Sequence, residues 1–281
     1  MHTTSEIVIG RLVAKMITFP NAKINIGLNI LRKRADEFHD IESLFYPVAF
    51  FDVLELVKSK DFEFTSSGLD IPGYTANNLC IKAYNMIKND YSIGTVKMHL
   101  HKVIPMGSGL GGGSSNGAFC INMLNELFEL NIPIKKRINY AAQLGSDCPF
   151  FIENRSAFAT GKGEILRPFN VDLSGKWIIL VNPNLHVSTA DAFSGVTVDD
   201  SKTDLVDNLT SPLSSWKESI INKFETSVFR KYPQIESLKK EFYNSGAVYA
   251  SMTGSGSTIY GIFDQEPTVS FNQFFTWKGR L

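Results

Sequence analysis

The chain has 281 residues, 43% hydrophobic and 20% charged, enough for one large core or two modest ones. Lysine plus arginine equals aspartate plus glutamate at 28 each, so no global field favours nucleic acid or an anionic membrane surface, and any anion must be held locally. Three scattered cysteines, Cys80, Cys120 and Cys148, odd in number and without C-x-x-C spacing, argue against a disulfide framework or a thiolate metal site and point to a reducing, cytoplasmic setting. No apolar run has the length of a membrane span, and the opening residues lack the layout of a secretion signal.

Residues 1–15 read as an extension, with Met16 as the natural start of the packed structure. From Ala22 to Ile30 apolar and polar residues alternate, which predicts a strand with Lys23, Asn25 and Asn29 on one face and Ile24, Ile26, Leu28 and Ile30 on the other. A polar turn at 32–37 and a second alternating run through Asp52 to Val57 suggest a hairpin or meander. Helical spacing follows at Leu79, Ala83, Met86 and Ile87, then a strand from Val96 to Lys102. A second short helix is expected from Ile138 to Leu144, stopped by Gly145, with Asp147 lodged between that stop and an apolar strand. Gly161 and Gly163 break the chain, and a domain boundary is placed there, giving units 16–160 and 161–281. Beyond it, Trp177 to Val181 reads as a buried strand, Val187 to Phe193 as the start of a helix, and Val198 to Ser215 as a surface segment. Ala250 to Thr258 is a glycine-serine turn before an apolar strand, Ile259 to Phe263.

The segment that organises the rest is Pro105-Met-Gly-Ser-Gly-Leu-Gly-Gly-Gly-Ser-Ser-Asn-Gly. Gly107, Gly109, Gly111, Gly112 and Gly113 free the backbone to wrap a ligand, and Ala118, Ile121, Leu124 and Phe128 continue at helical spacing, with Ser114 and Ser115 suited to cap the start. A glycine loop opening a helix is an anion site, because unpaired N–H groups and the positive end of the helix dipole converge there. Gly107, Gly109 and Gly112 fit G-x-G-x-x-G, but the later acids, Glu126 and Glu129, lie within the helix, so the dinucleotide reading is rejected. G-x-x-x-x-G-K-[ST] is also absent.

Lys23 alone reads as a solvated strand lysine, and Asp147 alone as a turn cap. Together with a phosphate cradle they fit phosphoryl transfer, which needs a base for the hydroxyl proton and a cation on the transferring group. Phe38 and Phe193 read by spacing alone as core.

Four ordered segments make the chain similar to a known family. Pro105 to Ala118 resembles the P-x-x-x-G-L-G/S-S-S motif of the GHMP small-molecule kinases, and its triple glycine resembles the branch that acts on a cytidine diphosphate-linked methylerythritol. Asn21-Ala-Lys-Ile-Asn-Ile-Gly-Leu, Gly145-Ser-Asp-Cys-Pro-Phe-Phe and Met252-Thr-Gly-Ser-Gly-Ser match three further motifs of that branch. The resemblance implies an α/β (α+β) two-domain GHMP kinase fold, with an N-terminal ribosomal protein S5 domain 2-like nucleotide-binding domain and a C-terminal ferredoxin-like α/β substrate domain. It implies ATP and Mg²⁺ as cofactors, with unassigned metal ligands, and phosphorylation of a 2-hydroxyl in the non-mevalonate isoprenoid pathway. Partners are then small molecules, with no nucleic acid or membrane, in a monomer or weak homodimer.

Carried over residue by residue, Lys23 and Asp147 are catalytic, Asp147 as the base. Pro105, Gly107, Ser108, Gly109, Leu110, Gly111, Gly112, Gly113, Ser114 and Ser115 bind ATP. Asn25, Phe38, His39, Thr189 and Phe193 bind the second substrate, with His39 at the cytosine edge and Phe38 and Phe193 on its two faces. Phe38 departs from the usual tyrosine, Asn21 from alanine, and Thr253 from serine. Two alternatives are a homoserine- or mevalonate-type kinase, which would offer the aromatic residues no base to stack, and a catalytically silent nucleotide-binding protein, against which both Lys23 and Asp147 speak.

Overall fold

The computed structural model describes residues 15–196 and 204–281; the extension before Lys15 and the stretch of the expected surface segment at 197–203 lie outside them. The chain begins with β1 (Lys15–Thr18), β2 (Asn21–Lys33), β3 (His39–Phe51), β4 (Val53–Ser59) and β5 (Glu63–Gly68), then α1 (Leu79–Tyr91) and β6 (Thr95–Lys102). The glycine loop leads into α2 (Gly112–Leu127), followed by α3 (Ile134–Leu144), α4 (Cys148–Glu153) and the hairpin of β7 (Ala157–Thr160) and β8 (Ile165–Pro168). The remainder comprises β9 (Trp177–Asn182), α5 (Thr189–Phe193), α6 (Leu205–Thr210), α7 (Trp216–Ser219), α8 (Glu225–Lys231), α9 (Pro233–Asn244), β10 (Tyr249–Met252), β11 (Ile259–Phe263) and β12 (Phe275–Arg280).

These strands form three four-stranded sheets, ordered β1-β4-β6-β5, β2-β3-β7-β8 and β10-β11-β9-β12. The last is antiparallel throughout, and its order within the unit, second-third-first-fourth, is that of a ferredoxin-like sheet. An irregular segment, not a helix, joins β11 to β12. In the first sheet β5 pairs parallel with β6 through the α1 crossover, and Asn78 caps α1 by accepting from Cys80 N at 2.9 Å. The hairpin β7–β8 carries the chain past residue 160 within one sheet.

Three apolar clusters hold these layers. One lies among α1, α2, α3, α4 and the β4–β6 sheet. One lies inside the C-terminal unit, between its sheet and α8 and α9. The third joins the units: Ala22, Ile24 and Ile26 of β2 and Leu44 and Val48 of β3 pack against Ile178, Leu180, Tyr249, Tyr260 and Ile262. The period-two reading of β2 is right about its faces from Ala22 to Ile26, where both are buried because Lys23 and Asn25 lie beneath the glycine loops. Beyond that the reading fails: a register shift between Ile26 and Asn29, with Gly27 at φ +66, adds a residue to β2 and breaks the alternation, so Leu28 and Ile30 leave the face of Ile24 and Ile26 and enter the C-terminal cluster.

Two local expectations fail. The run after Asp147 is a helix, not a strand: Pro149 stands in its first turn, where a missing N–H costs nothing, and its apolar residues are buried on all sides. Within the expected surface segment, Leu205 and Leu209 of α6 are core residues against the third cluster. The three cysteines are free and buried.

Beneath the start of α2 lies a fully buried ion pair, Lys102 Nζ to Asp52 Oδ2 at 2.5 Å. Asp52 also accepts from Val103 N at 2.7 Å, Ile104 N at 2.8 Å and Asn116 Nδ2 at 2.8 Å. Burial pushes the Lys102 ammonium below the ordinary lysine range, and Asp52 opposes that shift. Removing one partner strands the other charge, so Lys102→Met is expected to cost about 3–5 kcal/mol, read as a lower urea midpoint at unchanged slope. Adding Asp52→Asn to that variant should recover part of the loss.

Candidate active site

The glycine loop is fixed from three directions. Lys23 N donates to Leu110 O at 2.9 Å, tying it to β2. Ser108 Oγ donates to Pro105 O at 2.7 Å, closing the loop on itself, and Leu110 is buried in the cluster between the units. The third tie is the second glycine-serine turn, where Thr253 Oγ1 donates to Gly109 O at 3.1 Å. Gly109 has φ +80, and a Cβ there would stand 2.1 Å from Thr253 O, so no other residue fits.

Helix α2 begins two residues before the serines, with Gly111 in the left-handed N-cap position and no side-chain cap. The N–H groups of Gly112, Gly113 and Ser114 thus lack intrahelical partners and stay open to an anion, whereas Ser115 N already bonds Gly111 O at 2.9 Å. This corrects the capping role expected of Ser114 and Ser115: a serine cap would have occupied donors that a phosphate needs. Ser115 is fully buried, and its Oγ has no hydrogen-bond partner among the described residues. Beside this end lies a cavity of about 170 Å³ lined by Phe64, Ile71, Tyr74, Leu79, Met106, Gly113 and Asn116.

Across the loop, Lys23 is 3% exposed, yet its ammonium is fully engaged. It donates to Asn25 Oδ1 at 2.5 Å, lies 3.2 Å from Asp147 Oδ2, and sits 4.7 Å from the centre of the Phe45 ring. Asn25 is held by Ser43 Oγ, which accepts from Nδ2 at 2.9 Å, and by Thr253 Oγ1, which accepts from Asn25 N at 3.1 Å and lies 3.3 Å from Oδ1. Asn25, expected to touch substrate, is 2% exposed, and its side chain accepts from the Lys23 ammonium. Asp147 occupies the N-cap position of α4 without making a cap bond, and its side chain is 30% exposed. Burial pushes the neighbouring Cys148 thiol up to about 12, which keeps it protonated at neutral pH beside the carboxylate.

The aromatic residues gather at the other end of the site. His39 lies flat on Phe193, centroids 4.3 Å apart at 19°, and Phe193 meets Phe224 edge-on at 4.7 Å. Phe38 is 58% exposed. His39, expected at the edge of a base, thus takes the stacking place expected for the base itself. Thr189 begins α5, behind the Ser188 cap.

Sequence reasoning missed Asp52, Lys102 and Asn116, the anchor under α2. The signal was there, since period two sets Lys102 on the buried face with Val96, Met98 and Leu100. Thr253 was noted only as a departure, although its hydroxyl joins the two glycine loops to Asn25.

A glycine loop opening a helix, a buried lysine and an acid beside it are the parts of a small-molecule phosphotransferase. The model of the GHMP kinases N terminal domain matches residues 78–155, and that of the GHMP kinases C terminal matches 209–270. A 4-diphosphocytidyl-2-C-methyl-D-erythritol kinase of Cytophaga hutchinsonii is 49% identical over 253 residues, covering 90% of this chain and 94% of that one. A crystal structure of 4-(cytidine 5'-diphospho)-2C-methyl-D-erythritol kinase superposes with a TM-score of 0.77 at 28% identity, covering 88% and 90%. A homoserine kinase from Cytophaga hutchinsonii, at 15% identity and TM-score 0.63 over 93% and 89%, shares the fold alone. The chain belongs to the GHMP kinases. Within them, it is a member of the 4-diphosphocytidyl-2-C-methyl-D-erythritol kinase family.

Gly109→Ala should separate the two glycine loops. A left-handed alanine alone costs about 1–3 kcal/mol, and the clash with Thr253 O adds to it. The expected result is at least a hundredfold weaker nucleotide binding by calorimetry, in a protein that still folds by circular dichroism.

Proposed function

We infer that the chain transfers the γ-phosphoryl group of ATP to the 2-hydroxyl of 4-diphosphocytidyl-2-C-methyl-D-erythritol, giving the 2-phosphate and ADP in the non-mevalonate isoprenoid pathway. The observation that carries this is the contact of Lys23 Nζ with Asp147 Oδ2 at 3.2 Å, beside an open helix N-terminus.

The phosphates bind at the free N–H groups of Gly112, Gly113 and Ser114, and the cavity beside Met106 and Asn116 takes the adenine, whose flat face suits its apolar walls. Pro105, Gly107, Ser108, Gly109, Leu110 and Gly111 shape that cradle rather than fill it. Asp147 accepts the proton of the substrate hydroxyl as that oxygen forms its bond to the γ-phosphorus, while the bond from phosphorus to the β–γ bridging oxygen breaks and ADP leaves. Lys23, held by Asn25, keeps the carboxylate in place and steadies charge on the transferring group. A cytosine stacks with Phe193 or Phe38 as His39 turns from Phe193 to meet its edge.

Magnesium belongs to this proposal. Among the described residues no three His, Cys, Asp or Glu side chains gather to hold a metal. The hydroxyl of Ser114 and the orphan Oγ of Ser115 would be the protein ligands at hand, and a bound ion would neutralise charge on the phosphates. The three free cysteines suit a reducing cytoplasm.

ADP release should be found with the cytidylyl-methylerythritol substrate and not with homoserine or mevalonate; turnover of only the latter two overturns the substrate. Asp147→Asn is expected to lower kcat by about 10²–10⁴-fold while ATP affinity stays within twofold of wild type by calorimetry. An active variant would place the base elsewhere.

A further inference from the structure

We propose that Lys162 binds the diphosphate bridge of the second substrate. The proposal deepens the substrate assignment above and depends on it. Lys162 sits in the turn between β7 and β8, flanked by Gly161 at φ +66 and Gly163 at φ +109. The turn is fixed in place: Ile41 N donates to Gly161 O at 2.7 Å, Gly163 N to Thr160 O at 3.1 Å, and Lys162 N to Glu164 Oε2 at 2.6 Å.

The two sides of this turn face different parts of the site. At Gly163 a Cβ would stand 3.7 Å from Asp147 Oδ1, so the absent side chain leaves room beside the carboxylate. One residue earlier, Lys162 Nζ lies 4.6 Å from the centre of the Phe38 ring, next to His39. Consecutive Cα atoms are about 3.8 Å apart, so a single step of backbone links the acid to the aromatic patch. A nucleoside diphosphate ester with its hydroxyl at Asp147 and its base at the aromatic residues would carry its two anionic phosphates past this turn, where Lys162 stands.

Charge selects Lys162 from its neighbours. Arg34 is hydrogen-bonded to Asp36 at 3.1 Å and to Asp40 at 2.7 Å, Arg32 to Asp40 at 2.6 Å, and Lys33 pairs with Glu37 at 2.5 Å. Lys23 is committed to Asn25 and Asp147. Among the described residues the Lys162 ammonium reaches a carboxylate only at Asp36 Oδ2, 4.0 Å away, beyond hydrogen-bond distance, and Asp36 is already bonded by Arg34. Its side chain is 32% exposed and folded over Phe38 instead of extended into water, which distinguishes it from a solvated surface lysine. A cation held by a ring face and a distant acid is exchanged readily for two phosphate charges, and lysine, a compact point charge on a flexible stem, suits such a bridge.

The test compares wild type with Lys162→Met and Lys162→Arg in steady-state kinetics, with inhibition by CDP and by cytidine. Losing one charge-assisted hydrogen bond should raise KM for the cytidylyl substrate about tenfold in Lys162→Met, with kcat and KM for ATP within about twofold. The preference for CDP over cytidine should fall by a similar factor, and Lys162→Arg should restore most of both. Unchanged KM and CDP inhibition in Lys162→Met, or a fall in kcat with a rise in KM for ATP, overturns the role of Lys162. Wild type that does not turn over the cytidylyl substrate overturns the substrate assignment itself.

Discussion

A lysine ammonium taken almost wholly out of water must be surrounded by acceptors, and that requirement at Lys23 shapes the region around it. Its partners come from three places in the chain. Asn25 stands two residues along the same strand, Asp147 at the start of α4, and Phe45 on the next strand, offering its ring face. Each partner is itself held, Asn25 by Ser43 and by Thr253 from the far unit. Charge, cradle and base therefore form one connected structure, in which misplacing any element leaves a buried cation under-satisfied.

Much of this was legible in the sequence, for identifiable reasons. Period two put Lys23 and Asn25 on one face of β2, and the structure keeps them there. Glycine spacing located the loop, since positive φ and close approach leave few residue types possible. Long-range partners were not legible: nothing local to Asp52 announces Lys102 and Asn116, residues distant in the chain that converge on one carboxylate. The short run after Asp147 was misread because an apolar segment of six residues carries the same composition as a buried strand or a buried helix, and only the proline in its first turn tips the choice. The apolar positions of α6 were hidden among polar neighbours.

The aromatic patch illustrates a different limit. Family resemblance singled out Phe38, His39 and Phe193, and the structure does bring His39 onto Phe193. It could not foresee that an imidazole and a phenyl ring satisfy each other, because stacking is a property of neighbours and not of residue types. Lys162 escaped notice for the same reason. Its interest lies in standing near a ring and far from an acid.

The apolar cluster between the two units has a mechanical consequence. Ile24, Ile26 and Val48 belong to one buried apolar cluster with Ile178, Tyr249 and Tyr260, and Tyr260 OH donates to Asn25 O at 2.8 Å. Paired domains that swing about a hinge are joined by small, polar interfaces, whereas prying this one apart would expose core residues to water. Opening the two halves would therefore cost far more than shifting a side chain at the exposed Phe38 corner, where little apolar surface is buried.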